Sequence, residues 1–437
     1  MIYAMGKWGT YNMKMTKQEK SWILYDWANS VYATIMMAAV VPIYFTTIAG
    51  AAGQEGDYWW SIATMIAMLI TAIAAPLIGA FADYWGYKKK LFVIFLVMGL
   101  GFTAYSAITL SWVGLMIGYA VSHMAFNAGN LVYDSFLPDV TTRDRMDKIS
   151  SYGYAFGYIG GSTIPFIVSI ALIQFGDKIG LTGTLPIQIS IGIAVVWWLL
   201  FSIPFLKNIK QEHGIDKPKI GVFKATFGNV GKTAIKIIKD KKIFYFVLAY
   251  FFYIDGVGTV ITMSTAYGTT LGLDATGMIL ALLVTQLVAF PCSIIFGNIA
   301  KKIGSLKMLM VAIIVYLAVC ILGFIMGFGL EENWFGVETA LTLFWILAVM
   351  VGTVQGGIQA LSRSYFGKII PPDNAGEFFG FFDIFGKFAA IIGPGLYAVT
   401  KATTGRSSFA ILSLVLLFLI ALIIMGIGKK HFGSEPE

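Results

Sequence analysis

The chain consists mainly of long apolar stretches separated by short polar or charged connections. A helix needs about 20 predominantly apolar residues to cross a bilayer. Twelve stretches meet this condition and are predicted to be membrane-spanning helices: 21–48, 58–82, 91–110, 112–136, 149–174, 187–206, 243–270, 275–300, 308–330, 338–366, 377–400 and 407–428. The pattern therefore predicts an all-α polytopic membrane protein.

Composition supports this prediction, because 58% of the 437 residues are hydrophobic and only 12% are charged, against about 25% charged residues in soluble domains. Cys292 and Cys320 both lie in apolar stretches, where packing is a better interpretation than a disulfide or a metal site. We find no H-E-x-x-H, no cysteine pair and no nucleophile elbow. We therefore expect no enzyme activity, no metal and no cofactor.

Lysine and arginine are concentrated in alternate loops. The N-terminal tail carries Lys7, Lys14 and Lys17, and ten lysines lie from Lys207 to Lys242. Because basic loops stay on the cytoplasmic side, both termini are predicted to be cytoplasmic. The net charge of +8 then reflects topology and contact with anionic membrane lipid, and a nucleic-acid partner is not expected.

The long basic connection divides six predicted helices from six. It suggests an N-terminal bundle over 1–206, a cytoplasmic linker over 207–242 and a C-terminal bundle over 243–437. Within the linker, 222–239 has the pattern of an amphipathic helix on the membrane surface. A shift of 229 residues lays Asp26 on Asp255 and Ser30 on Thr259. The chain is thus predicted to be built twice around a shared polar centre.

Polar side chains inside the predicted helices are the candidate binding residues. A carboxylate in a spanning segment costs at least about 2.5 kcal/mol, so it should face a partner or water. His123, Asn127, Asn130 and Asp134 share one helix face. The candidate substrate-binding residues are Asp26, Asn29, His123, Asn127, Asn130, Asp255, Gln355, Gln359, Arg363, Asp383 and Lys387. The alternative role for such groups is polar contact between helices.

Three questions about these residues stay open at this level. Asp383 and Lys387 are spaced i to i+4 and can neutralise each other, or Arg363 can pair with Asp383 and leave Lys387 as an anion site. Asp26 lies near the start of its segment, so it could belong to a cytoplasmic gate instead of the binding site. Proton coupling through Asp26 or Asp255 is undetermined.

The turn after the second segment reads Gly79-Ala80-Phe81-Ala82-Asp83-Tyr84-Trp85-Gly86-Tyr87-Lys88-Lys89-Lys90. It resembles the G-x-x-x-D-R-x-G-R-R/K signature of the major facilitator superfamily, with tyrosine in place of two arginines. Asp83 is expected to cap a helix end and to pair with a basic group in one conformation only. The residues Gly79, Asp83, Gly86, Lys88 and Lys89 are therefore the predicted conformational latch, and an ordinary basic turn is the alternative.

Several blocks resemble one branch of that superfamily, the autophagy-related vacuolar amino-acid effluxers and their bacterial relatives. They are Tyr25–Ser30, Phe136–Pro138, Gly153–Gly161, Gln359–Ser364, Glu377–Gly380 and Gly393-Pro394, together with Asp255-Gly256. The resemblance implies two six-helix bundles and alternating access to a substrate site between them. Fungal members are associated with export of amino acids such as leucine from the vacuole.

The resulting hypothesis is a secondary transporter that moves a small zwitterionic solute outward. Asp26 or Asp255 would hold the ammonium, and Lys387 or Arg363 the carboxylate. The alternatives are a proton-coupled exporter of amphipathic cations or drugs, a non-transporting receptor, and a lipid mover. We expect a monomer in a bacterial cytoplasmic membrane.

Overall fold

The computed structural model describes residues 14–217 and 222–432, and each predicted apolar stretch corresponds to a long helix. The helices are α1 (Lys17–Ala51), α2 (Gly56–Ala82), α3 (Lys88–Ile108), α4 (Trp112–Ser135), α5 (Arg143–Ile179), α6 (Leu185–Asn208), a linker helix (Val222–Lys239), α7 (Lys241–Thr270), α8 (Ala275–Ile303), α9 (Ser305–Glu331), α10 (Val337–Ile369), α11 (Ala375–Thr404) and α12 (Ser407–Phe432). The predicted all-α class is confirmed.

Among the described residues, eleven helices are long and apolar enough to cross a membrane. The other long helix of the bundles, α4, has 24 residues, but its polar stripe from His123 to Asp134 lowers its hydropathy. The count of twelve spanning helices therefore stays a prediction. So does the cytoplasmic position of the termini, because Met1 to Met13, with Lys7, and the last five residues lie outside the described part of the chain.

Several helices begin at a side chain that accepts backbone N–H groups. At the start of α1, Thr16 Oγ1 accepts Glu19 N at 3.1 Å, and the Glu19 carboxylate accepts Thr16 N at 2.8 Å. Asp240 caps α7, and Asp274 caps α8 by accepting Gly277 N at 2.7 Å. These caps satisfy N–H groups that have no partner inside the helix.

Buried apolar side chains form two separate clusters, one from each half of the sequence. One cluster runs from Trp22 to Ile209, and the other from Ile237 to Phe432. Isoleucine, leucine and valine side chains are exposed along the outside of the helices, as a lipid-facing surface requires. Each half therefore has its own core, and contacts between the halves are a separate layer.

The two halves meet mainly through α2 with α11 and through α5 with α8 and α10. At the closest approach, a Cβ atom on Gly79 would lie 2.0 Å from the backbone oxygen of Gly376. A Cβ atom on Gly380 would lie 2.6 Å from the oxygen of Ala75. Only glycine allows these backbones to touch. The contacts lie at the helix ends next to the lysine-rich loops, so the halves are closed on that side.

Two helices of the first half contain π-helical stretches, Ala33–Ala39 in α1 and Gly157–Thr163 in α5. They lie against each other. A Cβ atom on Gly160 would overlap the Trp27 ring at 1.9 Å, and one on Gly161 would lie 2.4 Å from Ser30 Cβ. These glycines therefore allow a close contact between α1 and α5.

Residues 209–217, which follow α6, lie on the turn between α2 and α3. Ile215 N donates to the backbone oxygen of Asp83 at 2.9 Å, and Trp85 N donates to Ile215 O at 3.1 Å. The linker helix itself contacts α2, α7 and α11. The connection between the halves is therefore packed against both of them.

Candidate functional site

Arg363 of α10 joins the two halves. Its Nη2 donates to Asp26 Oδ2 at 3.0 Å, and its Nη1 donates to Asp134 Oδ1 at 3.0 Å. Its Nε donates to Ser150 Oγ at 2.9 Å. The guanidinium also lies over the rings of Trp22 and Tyr154, each centroid at 4.5 Å. One arginine of the second half therefore binds three helices of the first.

Two cavities of about 260 Å³ each adjoin this arginine, and both are lined by residues from both halves. They share Asp134, Tyr154, Gln359 and Arg363. The first is also lined by Asp26, Asn29, Ser30, Asn130, Tyr158 and Gln355, and the second by Tyr250, Phe379, Phe382, Asp383 and Gly386. The two half-chains thus enclose a polar space with charged groups of both signs.

Hydrogen bonds hold the amide side chains in this space. Asn29 Nδ2 donates to Asn130 Oδ1 at 2.7 Å, which ties α1 to α4. Tyr158 OH donates to Gln359 Oε1 at 3.0 Å across the two halves. The amide groups of Asn130 and Gln359 keep further donor positions for a solute.

Lys387 pairs with Asp383 on the same face of α11, one helical turn apart. The alternative pairing of Arg363 with Asp383 is wrong for this structure, because Asp26 and Asp134 occupy the guanidinium. Lys387 is therefore not a free anion site. The Asp383 side chain is 26% exposed and lines the second cavity.

Four candidate residues lie outside the linings of the two cavities: Lys387, which pairs with Asp383, and Asp255, His123 and Asn127. Asp255 faces α11 within its own half and accepts Gly393 N at 2.8 Å. His123 is fully buried and stacks on Tyr119 with a centroid distance of 5.2 Å. Asn127 Nδ2 donates to the backbone oxygen of His123 at 2.9 Å. Asp255 thus makes a contact between helices of one bundle and Asn127 bonds within its own helix, whereas neither ring nitrogen of His123 has a hydrogen-bond partner among the described residues.

Asp26 and Asp255 match in sequence but not in position. A Cβ on Gly153 of α5 would meet Asp26 Oδ2 at 2.1 Å, whereas Asp255 contacts Gly393 of α11. The same shift of 229 would place Gly393 on Ile164, eleven residues beyond Gly153, or about 16 Å along a helix. The two acids do not form the predicted shared polar centre.

The predicted latch residues bind the start of α11 and the linker. Asp83 accepts Gly376 N at 2.6 Å and Glu377 N at 2.8 Å, so its carboxylate caps a helix of the other half. Lys88 donates to Asp139 Oδ2 at 2.7 Å instead of pairing with Asp83. Lys89 Nζ donates to Ile209 O at 2.9 Å, and the N–H of Gly86, which has a φ of 80°, donates to Gln211 Oε1 at 3.0 Å.

Sequence reasoning missed a second set of polar contacts between the halves. Asp147 of α5 accepts Ser364 Oγ at 2.6 Å and Ser305 Oγ at 2.8 Å, and it pairs with Lys368. The only available signal was that an acid and a base, Asp147 and Lys368, each lie in a turn next to a predicted helix and could pair with each other. Their contact across 221 positions could not be read from either turn alone.

The linker contributes a histidine to the same side of the molecule. Asp139 Oδ1 accepts the backbone N–H groups of Glu212 at 3.0 Å and His213 at 2.8 Å, and it lies 3.1 Å from His213 Nδ1. The hydrogen bond with Asp139 raises the pKa of His213 above its usual value. Asp373 also raises it, while partial burial and Lys88 oppose the shift.

Comparison with known proteins agrees with this architecture. The family described as "Vacuole effluxer Atg22 like" matches residues 60–431. The chain is 44% identical to an uncharacterized MFS-type transporter of Bacillus subtilis, YxiO, over 97% of both chains. It is 25% identical to autophagy-related protein 22 of Cryptococcus neoformans over 67% of this chain, but the match covers only 51% of that relative.

Solved structures with the same fold include two transporters. The human organic anion transporter MFSD10 superposes with a TM-score of 0.73 at 11% identity, covering 94% of this chain and 99% of that chain. The proton:xylose symporter XylE superposes with a TM-score of 0.70 at 12% identity, covering 94% and 95%. These likenesses show the fold alone. As a multi-pass membrane protein related to a Bacillus transporter, the chain suits a bacterial cytoplasmic membrane, and it belongs to the Atg22-like family of major facilitator superfamily transporters.

Proposed function

We propose that the chain moves small zwitterionic solutes, amino acids above all, outward across the membrane by alternating access. The observation that supports this most directly is Arg363, which bridges the halves and borders both cavities. An amino acid carries one ammonium and one carboxylate, and the space beside Arg363 offers a partner for each.

The acids that reach the cavities are the candidate ammonium ligands. The side chains of Asp134 and Asp383 are 28% and 26% exposed, whereas Asp255 is only 1% exposed and lines neither cavity. The solute carboxylate would bind the guanidinium of Arg363, which suits a two-point contact with a carboxylate. Asn130 and Gln359 would complete the hydrogen bonds.

Solute binding and opening of the closed side are linked in this proposal. A carboxylate that binds Arg363 competes with Asp26 and Asp134, and those two bonds hold the halves together. Because the solute has different affinities for the two states, closure of the lysine-rich side by these bonds weakens solute binding and favours release of the solute on the opposite side. The size of the cavities also favours a small solute, because drug-sized ligands usually occupy about 300–1,000 Å³.

The test is exchange of labelled neutral amino acids in liposomes that contain the purified protein. Each amino acid is paired with its decarboxylated amine, which keeps the side chain and the ammonium but lacks the carboxylate. We expect exchange of the acid, no exchange of the amine, and loss of exchange in Arg363→Lys. The exposed Arg406→Lys is the matched control. Equal transport of the amine would favour the cation exporter, and no exchange of any solute would support the receptor alternative.

A further inference from the structure

Asp255 is a buried acid with an incomplete set of partners. Its Oδ2 accepts Gly393 N at 2.8 Å, and the residue is 1% exposed. Among the described residues, its Oδ1 has no hydrogen-bond partner, and neither has the buried Oγ1 of Thr259. Both atoms lie at Gly393, where a Cβ would stand 2.0 Å from Thr259 Oγ1 and 2.9 Å from Asp255 Oδ1.

No positive charge compensates this carboxyl group. The eight ion pairs of the described chain do not include Asp255. An isolated carboxylate inside a membrane protein is strongly destabilising, and such a group takes up a proton instead. A neutral Asp255 would use that proton at Oδ1 to donate to Thr259 Oγ1, which gives both unpartnered atoms a bond.

Its sequence counterpart is in the opposite situation. Asp26 lies 3.0 Å from the Arg363 guanidinium, so its carboxylate has a cation beside it. Asp134 shares the same arginine, and Asp383 is paired with Lys387. Of Asp26, Asp134, Asp255 and Asp383, only Asp255 takes no part in an ion pair.

We propose that Asp255 is the proton-binding site that couples solute export to the proton gradient. This inference rests on the proposed function and adds the coupling ion. In the arrangement seen here, with the lysine-rich side closed, Asp255 holds one proton from the opposite face. After the halves rearrange, the proton leaves toward the cytoplasm as the solute is taken up for export.

The route from Asp255 to the solute site runs through α11. Asp255 binds this helix at Gly393, directly before Pro394, which interrupts the helical hydrogen bonds. The same helix carries Asp383 and Lys387 beside the second cavity, and its first turn is capped by Asp83 of the other half. A charged Asp255 would need water or further donors, so loss of the proton would change how α7 and α11 pack.

The experiment uses purified full-length protein in liposomes with a pH-sensitive dye inside. A solute gradient should move protons through the wild type, and an imposed pH gradient should drive net solute accumulation. Asp255→Asn imitates the neutral acid, because its oxygen still accepts Gly393 N and its amide can donate to Thr259. We expect this variant to retain solute exchange but to lose proton movement and accumulation down to the level of protein-free liposomes.

Controls separate this inference from the proposed function. Asp274→Asn alters an exposed helix cap and should leave coupling intact, and Asp255→Glu should restore part of it. Infrared difference spectra between acid and alkaline buffer should show a protonated carboxyl band that Asp255→Asn lacks, whether or not any solute is exchanged. The assignment would be overturned if Asp255→Asn still accumulated solute in response to a pH gradient. It would also be overturned if Asp134→Asn, and not Asp255→Asn, lost this accumulation, or if a sodium gradient drove it in place of protons.

Discussion

Arg363 Nη2 donates to Asp26 Oδ2 across 3.0 Å, and this bond connects α10 of the second half with α1 of the first. The pair is mostly buried, with 4% of the arginine side chain and 12% of the aspartate side chain exposed. Together with Asp134 it places two carboxylates on one guanidinium. The closed side of the molecule depends on this charge arrangement, so changes at Arg363 should affect stability as well as transport.

Replacing Arg363 by alanine should strongly destabilise the closed arrangement. The change leaves Asp26 and Asp134 close together without a cation, and removing one partner of a buried pair usually costs about 3–5 kcal/mol. Thermal unfolding of the purified protein in detergent measures the effect. Arg406→Ala is the control, because its pair with Glu332 is 43% and 37% exposed and should contribute about 0–1 kcal/mol. Equal shifts in the two variants would contradict the central role of Arg363.

Gly79→Ala should prevent closure between α2 and α11. The added Cβ would lie 2.0 Å from a backbone oxygen of Gly376, which cannot move aside like a side chain. Distances between spin labels at the ends of α2 and α11 next to the lysine-rich loops should increase, and solute exchange should fall. Gly101→Ala is the matched control, since no atom lies within 4 Å of the added Cβ. An unchanged label distance in Gly79→Ala would disprove this closure contact.

Asp83→Ala should also separate these helix ends, by a chemical cause instead of a steric one. The change removes both acceptors for Gly376 N and Glu377 N, and loss of such a cap costs about 0.5–2 kcal/mol. Asp83→Asn retains one acceptor oxygen, so its helix-end separation should lie between those of the wild type and Asp83→Ala. The same spin-label distance reports the result, with Asp274→Ala as a control cap that lies within one half. A wider distance in Asp274→Ala than in Asp83→Ala would refute the assignment.

Docking of the linker should weaken as the pH rises. The pKa of His213 is raised in the folded protein by its hydrogen bond with Asp139. The stabilisation of linker docking by protonated His213 is therefore fully present below the ordinary histidine pKa of about 6.5. It is lost as the pH rises through the raised pKa. Hydrogen-exchange protection of 209–217, corrected for the intrinsic exchange rate, should fall over this range. His213→Gln should remove the pH dependence, and a persistent dependence in that variant would point to another group.

The helices could be predicted because the lengths of the apolar stretches determine them. The contacts of their polar side chains could not be predicted in the same way. The segment predicted at 149–174 begins in the structure at Arg143 and ends at Ile179, since polar residues at its start continue the helix beyond the apolar part. The sequence offered Asp383 as a carboxylate partner for Arg363, and only the packing of α1 and α4 decides for Asp26 and Asp134. The motif around Asp83 correctly indicated a helix cap, but the identity of the capped helix depends on how the halves meet.

The matching sequence positions of Asp26 and Asp255 led to the wrong prediction of a shared polar centre, and the reason is physical. An internal repeat preserves the residue type, but each copy packs against a different neighbour. Asp26 reaches a cation supplied by the other half, while Asp255 stays inside its own half at Gly393. Pseudo-symmetry therefore predicts the architecture better than it predicts the charge state of matched residues.

The π-helical stretches of α1 and α5 lie side by side and give both helices of the first half a place to bend. Seven residues in each helix make wider turns with i to i+5 bonds, a form that is rare and less regular than the α-helix. Because Ala33–Ala39 and Gly157–Thr163 face each other, the parts of both helices beyond them can tilt together. Arg363 binds below this level, through Asp26 and Ser150. The mouth opposite the lysine-rich loops can therefore widen or narrow while the ion pairs of Arg363 with Asp26 and Asp134 keep their geometry.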